Sequence, residues 1–393
     1  MALGPLLGGI TAAAFLRRHW QKAAHLARAA MPGFDGVVDR DALFALAARD
    51  DVESRLVQRI GARWSLAHGP FTLRTLRALP ARNWTLLVQG VNLHVPAADA
   101  LLRRFRFVPY ARLDDLMVSY AAPGGGVGPH LDAYDVFLLQ GFGRRRWRYG
   151  RQDDQAFRPG LPLRVLRRFT PTEDAILAPG DMLYLPPAYA HDGVALEPCT
   201  TYSIGFRAAT ASETAAAFLT YLQDSLDVPG RYADPDLAAT REPARISPAM
   251  LRKVVRMVNG ITWNATDIAR FLGSTLSEPK PSVYFEPPSA PLSRAALAKR
   301  IARGGLRLDL RTQFLYDDAC FYMNGSVMSR ASVGVGAART LEALANDRAL
   351  PPARGPRPSA PVHAPAQEPL PSVAVLALIY DWYVDGYVHP GNA

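Results

Sequence analysis

Gly124-Gly125-Gly126-Val127-Gly128-Pro129-His130-Leu131-Asp132 is the stretch on which the fold of this chain turns. A glycine-rich turn runs into a segment carrying His-x-Asp. On a strand, successive side chains point to opposite faces, so His130 and Asp132 share one face and Leu131 takes the other. Strand rise puts the two side chains about 7 Å apart along the backbone, close enough to converge on one point. A second stretch runs Ala178-Pro179-Gly180-Asp181-Met182-Leu183-Tyr184-Leu185-Pro186-Pro187-Ala188-Tyr189-Ala190-His191. It predicts a tight turn at Pro179-Gly180-Asp181, a strand over Met182 to Leu185, a bend stiffened by the two prolines, and then His191. Two imidazoles and a carboxylate from two strands can hold one metal ion from one side.

Outward from these stretches, the apolar runs stay short and are bounded by Gly, Pro and Asp. Thr85 to Val88, Leu116 to Tyr120, Val136 to Leu139, Met182 to Leu185 and Tyr202 to Phe206 read as strands of a sandwich or barrel. Before them, residues 11 to 30 read as a helix, and Asp39 and Asp41 can cap a second one through Leu43, Phe44 and Leu46. After them the period becomes helical, over Ala215 to Leu226, Met250 to Met257 and Ile261 to Leu272. Residues 276 to 290, rich in Pro and Ser, read as a linker. A helix at Arg294 to Arg303, strand-like runs at Leu306 to Leu310 and Ala319 to Met323, an Asn324-Gly325 turn and helices at Ala338 to Ala345 and Val373 to Val384 resemble a winged helix. The Pro-rich residues 351 to 372 read as a loop inside it. The expected class is mixed α/β (α+β), in three segments: a barrel with N-terminal helices over 1–210, a helical region over 211–285 and a winged-helix-like domain over 286–393.

Facial two-His-one-carboxylate ligation suits non-haem iron(II) oxygenases, because the open positions accept a cosubstrate and dioxygen. A zinc hydrolytic or plain cupin site uses the same ligand types and stays open as an alternative. If the cosubstrate is 2-oxoglutarate, its far carboxylate needs a cation in the barrel wall, and a guanidinium fork matches it. Gly143-Arg144-Arg145-Arg146-Trp147-Arg148 supplies candidates: by alternation Arg145 and Trp147 share one face, and Arg144, Arg146 and Arg148 the other. A solvated basic strand is the plainer alternative.

Composition narrows the class. Of 393 residues, 49% are hydrophobic and 20% charged, which excludes a disordered chain and suits a globular one. No apolar run reaches the roughly 18 residues that span a bilayer. The apolar stretch from Leu6 to Leu16 has its positive charges after it, at Arg17 and Arg18, the reverse of a secretory signal. Two cysteines, Cys199 and Cys320, are too few for a disulfide framework and fit a reducing cytoplasm. A net charge of +10 favours nucleic acid or a nucleoprotein as partner, although arginine and alanine richness also follows from a GC-rich genome.

These residues together resemble the bacterial JmjC-type ribosomal oxygenases, in the branch that hydroxylates an arginine of a large-subunit ribosomal protein. The resemblance is carried by Asp114-Asp115-Leu116-Met117, Gly124 to Asp132, Tyr134-Asp135-Val136-Phe137, Gln140-Gly141, Gly143 to Trp147, Pro179-Gly180-Asp181, Pro186-Pro187 and Tyr202-Ser203 with Gly205-Phe206-Arg207. Asp51 to Leu56 matches as well. It implies a double-stranded β-helix of jelly-roll (cupin, JmjC) type, iron(II) held by His130, Asp132 and His191, and 2-oxoglutarate and dioxygen as cosubstrates. It implies that Arg145 binds the far carboxylate, with Ser119 and Ser203 as polar neighbours of the cosubstrate. It also implies a homodimer through the helical region. For the arginine substrate so implied, Tyr134, by alternation on the face of His130 and Asp132, could pack on the aliphatic stem, and Asp115 could pair with the charge; a core tyrosine and a surface loop aspartate are the alternatives. The alternatives are a JmjC oxygenase with another target, by histidine hydroxylation or lysine demethylation, and a non-enzymatic ribosome- or RNA-binding protein that contacts ribosomal RNA.

Overall fold

The computed structural model describes residues 4–226, 228–352 and 373–391. Most of the expected Pro-rich loop, residues 353–372, lies outside them. Eleven strands precede the helical region: β1 (His25–Ala27), β2 (Ser54–Ile60), β3 (Arg63–His68), β4 (Trp84–Val88), β5 (Leu113–Ala121), β6 (Val136–Gln140), β7 (Arg145–Arg151), β8 (Glu173–Leu177), β9 (Met182–Leu185), β10 (Tyr189–Ala195) and β11 (Cys199–Phe206). Eight form one antiparallel sheet in the order β1-β9-β6-β11-β5-β4-β2-β3, and three form a second, β10-β7-β8.

Alternation explains how the large sheet is buried on both faces. Leu138, Val136, Leu183 and Leu185 point inward and pack with Trp147, Tyr149 and Leu177 of the small sheet. Phe137, Tyr184, Tyr202, Ile204 and Phe206 point the other way, into a larger core completed by Phe15, Phe44, Leu101 and Phe105. The two sheets therefore close on each other as a jelly roll, while the N-terminal helices cover the outer face.

The single helix expected over residues 11 to 30 is shorter. It runs from Ala12 to Arg18 with Thr11 as its N-cap, and His25–Ala27 is a strand paired to β9. Tertiary contacts win here over helical propensity. Trp20 stacks on Tyr184 at 5.8 Å, Gln21 turns with φ 56° and its N–H donates to the Tyr184 hydroxyl at 2.8 Å.

The described residues fall into two compact units that are not consecutive in sequence. One comprises Met1–Ala208, Pro279–Thr312 and Arg339–Ala393, and the other Ala209–Glu278 and Gln313–Ala338. In the first unit, Arg348 is buried and donates to the carbonyls of Thr312, Asp309 and Leu310, tying the later segments together. In the second, helices Ala211–Ser225, Pro248–Asn259 and Ala265–Ser277 accompany a hairpin in which Tyr322 sits over Gly273. The last of these helices begins four residues later than the apolar run suggests, because Asn264 caps it and exchanges hydrogen bonds with Asp267.

Candidate metal centre

The His-x-Asp segment is not a regular strand. His130 makes an isolated antiparallel bridge with His191, donating to its carbonyl at 3.0 Å and accepting its N–H at 2.9 Å. Farther back the same segment continues along β10, with the Gly124 N–H donating to Ala195 O and the Ala195 N–H to Gly125 O. The glycines explain why it can lie there. A Cβ on Gly125 would fall 2.1 Å from the Trp84 carbonyl oxygen, and one on Gly126 would fall 2.5 Å from that of Gly193. The segment is wedged between backbones, and that wedge delivers His130 beside His191.

His130, Asp132 and His191 offer ligand atoms that all lie within 4.8 Å of one another. Asp132 faces both rings, with Oδ1 4.0 Å from His130 Nε2 and Oδ2 3.6 Å from His191 Nε2. Each ring has its Nδ1 against a backbone carbonyl, Gly128 O at 2.9 Å for His130 and Tyr189 O at 3.1 Å for His191. Donation from Nδ1 leaves Nε2 as the free lone pair aimed at the common point. Burial, and then the neighbouring His130, lower the His191 pKa to about 4, so its ring is neutral and able to ligate at physiological pH.

Register on the small sheet sets what surrounds His191. His191 pairs with Tyr149, Gly193 with Trp147 and Ala195 with Arg145, so these six share one face. Gly193 leaves room for Trp147, whose ring lies 5.8 Å from that of His191. Arg145 is buried at 4% exposure, and its Nη1 donates to the Ser119 hydroxyl at 3.3 Å. Its Nε and Nη2 are buried with no protein partner among the described residues. Leaving charged donors unpaired inside a protein costs several kcal/mol, so this fork fits an anion presented from within the barrel. The outward arginines of the strand are neutralised differently: Arg144 pairs with Glu197, Arg146 with Asp174 and Arg148 with Asp192.

Ser203 lies on the same face of the large sheet as Ser119, since Thr201 pairs with Ser119 and Ser203 with Met117. Thr201, which local sequence did not single out, donates to the Gln140 side chain at 3.1 Å. Tyr134 and Asp115 meet elsewhere, on either side of Gly205, whose added Cβ would lie 3.8 Å from the Tyr134 ring and 3.9 Å from Asp115 Oδ1. Partial burial and the charges of Asp132 and Asp115 push the Tyr134 phenol upward, so it stays neutral. Asp115 is buried, which pushes its carboxyl up, and Oδ2 accepts from the Gly90 N–H and from Lys280 Nζ at 3.3 Å. Burial alone would lower the Lys280 amine, but Asp115 and Asp114 outweigh it. Nothing local marks Lys280, since it falls in the stretch that composition assigns to a linker.

A family described as JmjC domain matches residues 100–214, and one described as ROXA-like winged helix matches residues 260–389. The ribosomal protein uL16 3-hydroxylase of Escherichia coli is 37% identical over 318 residues, which cover 79% of this chain and 83% of that protein. This chain belongs to the bacterial JmjC-type ribosomal oxygenases. Among solved structures, YcfD of Escherichia coli superposes with a TM-score of 0.80 at 32% identity, covering 97% of this ribosomal oxygenase and 98% of that chain. A second, of YcfD in complex with cobalt and 2-oxoglutarate, superposes with a TM-score of 0.77 at 31% identity, with the same coverage. The fold is therefore the JmjC cupin with a winged-helix domain.

Proposed function

We propose that this chain is an iron(II)- and 2-oxoglutarate-dependent protein hydroxylase that acts on an arginine of the large-subunit ribosomal protein uL16. One observation carries the reading. His130, Asp132 and His191 converge within 4.8 Å, while a buried arginine on the same face of the small sheet as His191 keeps two donors free for an anion. The relative named as a uL16 3-hydroxylase and the cobalt and 2-oxoglutarate bound to YcfD support the choice of substrate and cosubstrate.

On this reading His130, Asp132 and His191 ligate the metal, and their hydrogen bonds to Gly128 and Tyr189 hold both rings with Nε2 inward. Arg145 binds the far carboxylate of 2-oxoglutarate, with Ser119 oriented by the same guanidinium and Ser203 beside it. When bound, iron with 2-oxoglutarate and dioxygen supplies the oxidation: the cosubstrate loses carbon dioxide to become succinate, and one oxygen atom enters a substrate C–H bond. The residues supply ligation, orientation and exclusion of water. Tyr134, 40% exposed, packs on the aliphatic stem of the target side chain, and Asp115, buried and paired with Lys280, contributes to the field at that contact without touching the target directly.

The helix Pro248–Asn259 buries no residue and exposes Met250, Leu251, Val254, Val255 and Val258, which supports a homodimer formed through the helical region. No helix of the described residues is long and apolar enough to cross a membrane. A ribosomal-protein substrate suits a cytoplasmic enzyme, and the net charge of +10 suits contact with ribosomal RNA. Mass spectrometry of ribosomal proteins from cells with and without the gene tests the target. An added oxygen on a uL16 arginine is the expected result. An added oxygen on a histidine, or loss of methyl groups from lysine, would redirect the assignment.

A further inference from the structure

Between β7 and β8 the chain makes a short hairpin that no part of the site described above uses. Phe157 and Leu166 form an isolated antiparallel bridge, the Arg158 N–H donates to Val165 O at 2.8 Å, and the Arg167 N–H to Ala156 O at 2.7 Å. This hairpin is fastened to the ligand segment. The Leu166 N–H donates to Pro129 O at 2.8 Å, and Val165 packs against Gly128, two residues before His130. It therefore stands at the rim of the metal site.

Its charge differs from that of the adjoining strand. Arg158, Arg164, Arg167 and Arg168 of the hairpin, and Arg151 at the end of β7, are all exposed. None of these side chains makes an ion pair or hydrogen bond among the described residues, whereas Arg146 and Arg148 on β7, and Arg144 just before it, each hold a carboxylate. Aromatic rings are interleaved with the cations: the Arg164 guanidinium lies 4.4 Å from the centre of the Phe157 ring, and Phe169 follows Arg168. Exposed arginines with stacked aromatics are the surface chemistry that binds a phosphate backbone. The same charge would repel a cationic protein segment, which is what a ribosomal protein presents. A rim so charged gains from an anionic polymer lying beside the basic target.

We propose that the hairpin Ala156–Arg168 is an RNA-docking rim, so that the site engages its protein target together with the RNA that flanks it. The choice of RNA as the polymer rests on the proposed function; the basic rim itself does not.

The test is fluorescence anisotropy of a labelled, mixed-sequence single-stranded RNA with the full chain across a salt series. The unmodified protein should bind with a steep salt dependence. Replacing Arg158, Arg164, Arg167 and Arg168 together by Gln should lower the log–log salt slope by about 3, at about 0.7 per phosphate contact, and weaken binding about tenfold or more at low salt. A Lys299→Gln, Arg300→Gln, Arg303→Gln variant on another basic helix should keep most of the binding. Ultraviolet crosslinking of the unmodified protein, mapped by peptide mass, should mark residues 151–169 and guards against misfolding of the hairpin variant. Absence of RNA binding, an unchanged slope in the hairpin variant, crosslinks confined to residues 294–307, or equal displacement of RNA by polyglutamate would each overturn the proposal. Succinate release with a peptide target in the absence of RNA is independent of all these outcomes, so the proposed function can stand or fall separately.

Discussion

Gly193→Ala isolates the packing behind the metal site. An added Cβ would lie 2.6 Å from Trp147 Cη2 and Cζ3 and 2.9 Å from Cε3. Carbon atoms in contact settle at about 3.5–4.0 Å, so the indole must retreat by about 1 Å. It has little room, being 5% exposed, with the His191 ring 5.8 Å away and the Arg145 guanidinium 5.7 Å from its own ring. Overpacking of this kind costs about 1–3 kcal/mol, and misplacing a reacting group by about 1 Å costs about 100-fold in rate. Thermal unfolding of the metal-free protein and 2-oxoglutarate titration of the metal-loaded protein read the two effects separately. Both should worsen in Gly193→Ala. Both should recover in part in Gly193→Ala/Trp147→Phe, which removes the atoms that clash. Unfolding temperature and cosubstrate affinity equal to those of the unmodified protein would refute the packing argument.

Arg145→Ala should raise the 2-oxoglutarate requirement about 30-fold or more, since a charge-assisted contact of about 2 kcal/mol is lost; an unchanged requirement would remove Arg145 from the site. Gly125→Ala should cost about 3 kcal/mol or more or prevent folding, because its Cβ meets the Trp84 and Ala122 carbonyl oxygens, at 2.1 and 2.8 Å, and neither is a movable side chain; a normal denaturation midpoint would contradict the wedge. The metal-free protein should lose stability as pH falls from 6.5 toward 4. Over that range the unfolded chain binds a proton on His191 that the folded chain refuses, for a total on the order of 3 kcal/mol, and below about 4 the loss levels off. In His191→Asn that part of the pH dependence should vanish from denaturation curves.

Residues whose role is set by neighbours in sequence were the legible ones. The His130-x-Asp132 pair, the Pro179-Gly180-Asp181 turn and the alternation that turns Arg145 and Trp147 inward all follow from one or two residues of context. The strand expected to carry His130 is only a bridge, because its pairing depends on how close the distant Gly193 and Trp84 backbones approach. Helical propensity across residues 19 to 27 yields to the open edge of β9, which no local pattern reveals. Lys280 reaches Asp115 across 165 positions, and a lysine in a Pro- and Ser-rich stretch gives no sign of that. Likewise the winged-helix pattern of helix, hairpin and helix is visible in sequence, whereas the division of those elements between two compact units depends on contacts such as Tyr322 on Gly273.

The most direct test of the account is turnover by the intact chain. The anaerobically iron-loaded protein is given 2-oxoglutarate, oxygen and a peptide from the arginine-bearing loop of uL16, with Asp132→Ala as its control, and succinate and peptide mass are measured together. Succinate in step with one added oxygen on the arginine, and neither from Asp132→Ala, is the predicted result. No succinate from metal-loaded protein, or full turnover by Asp132→Ala, would contradict the assignment of the site.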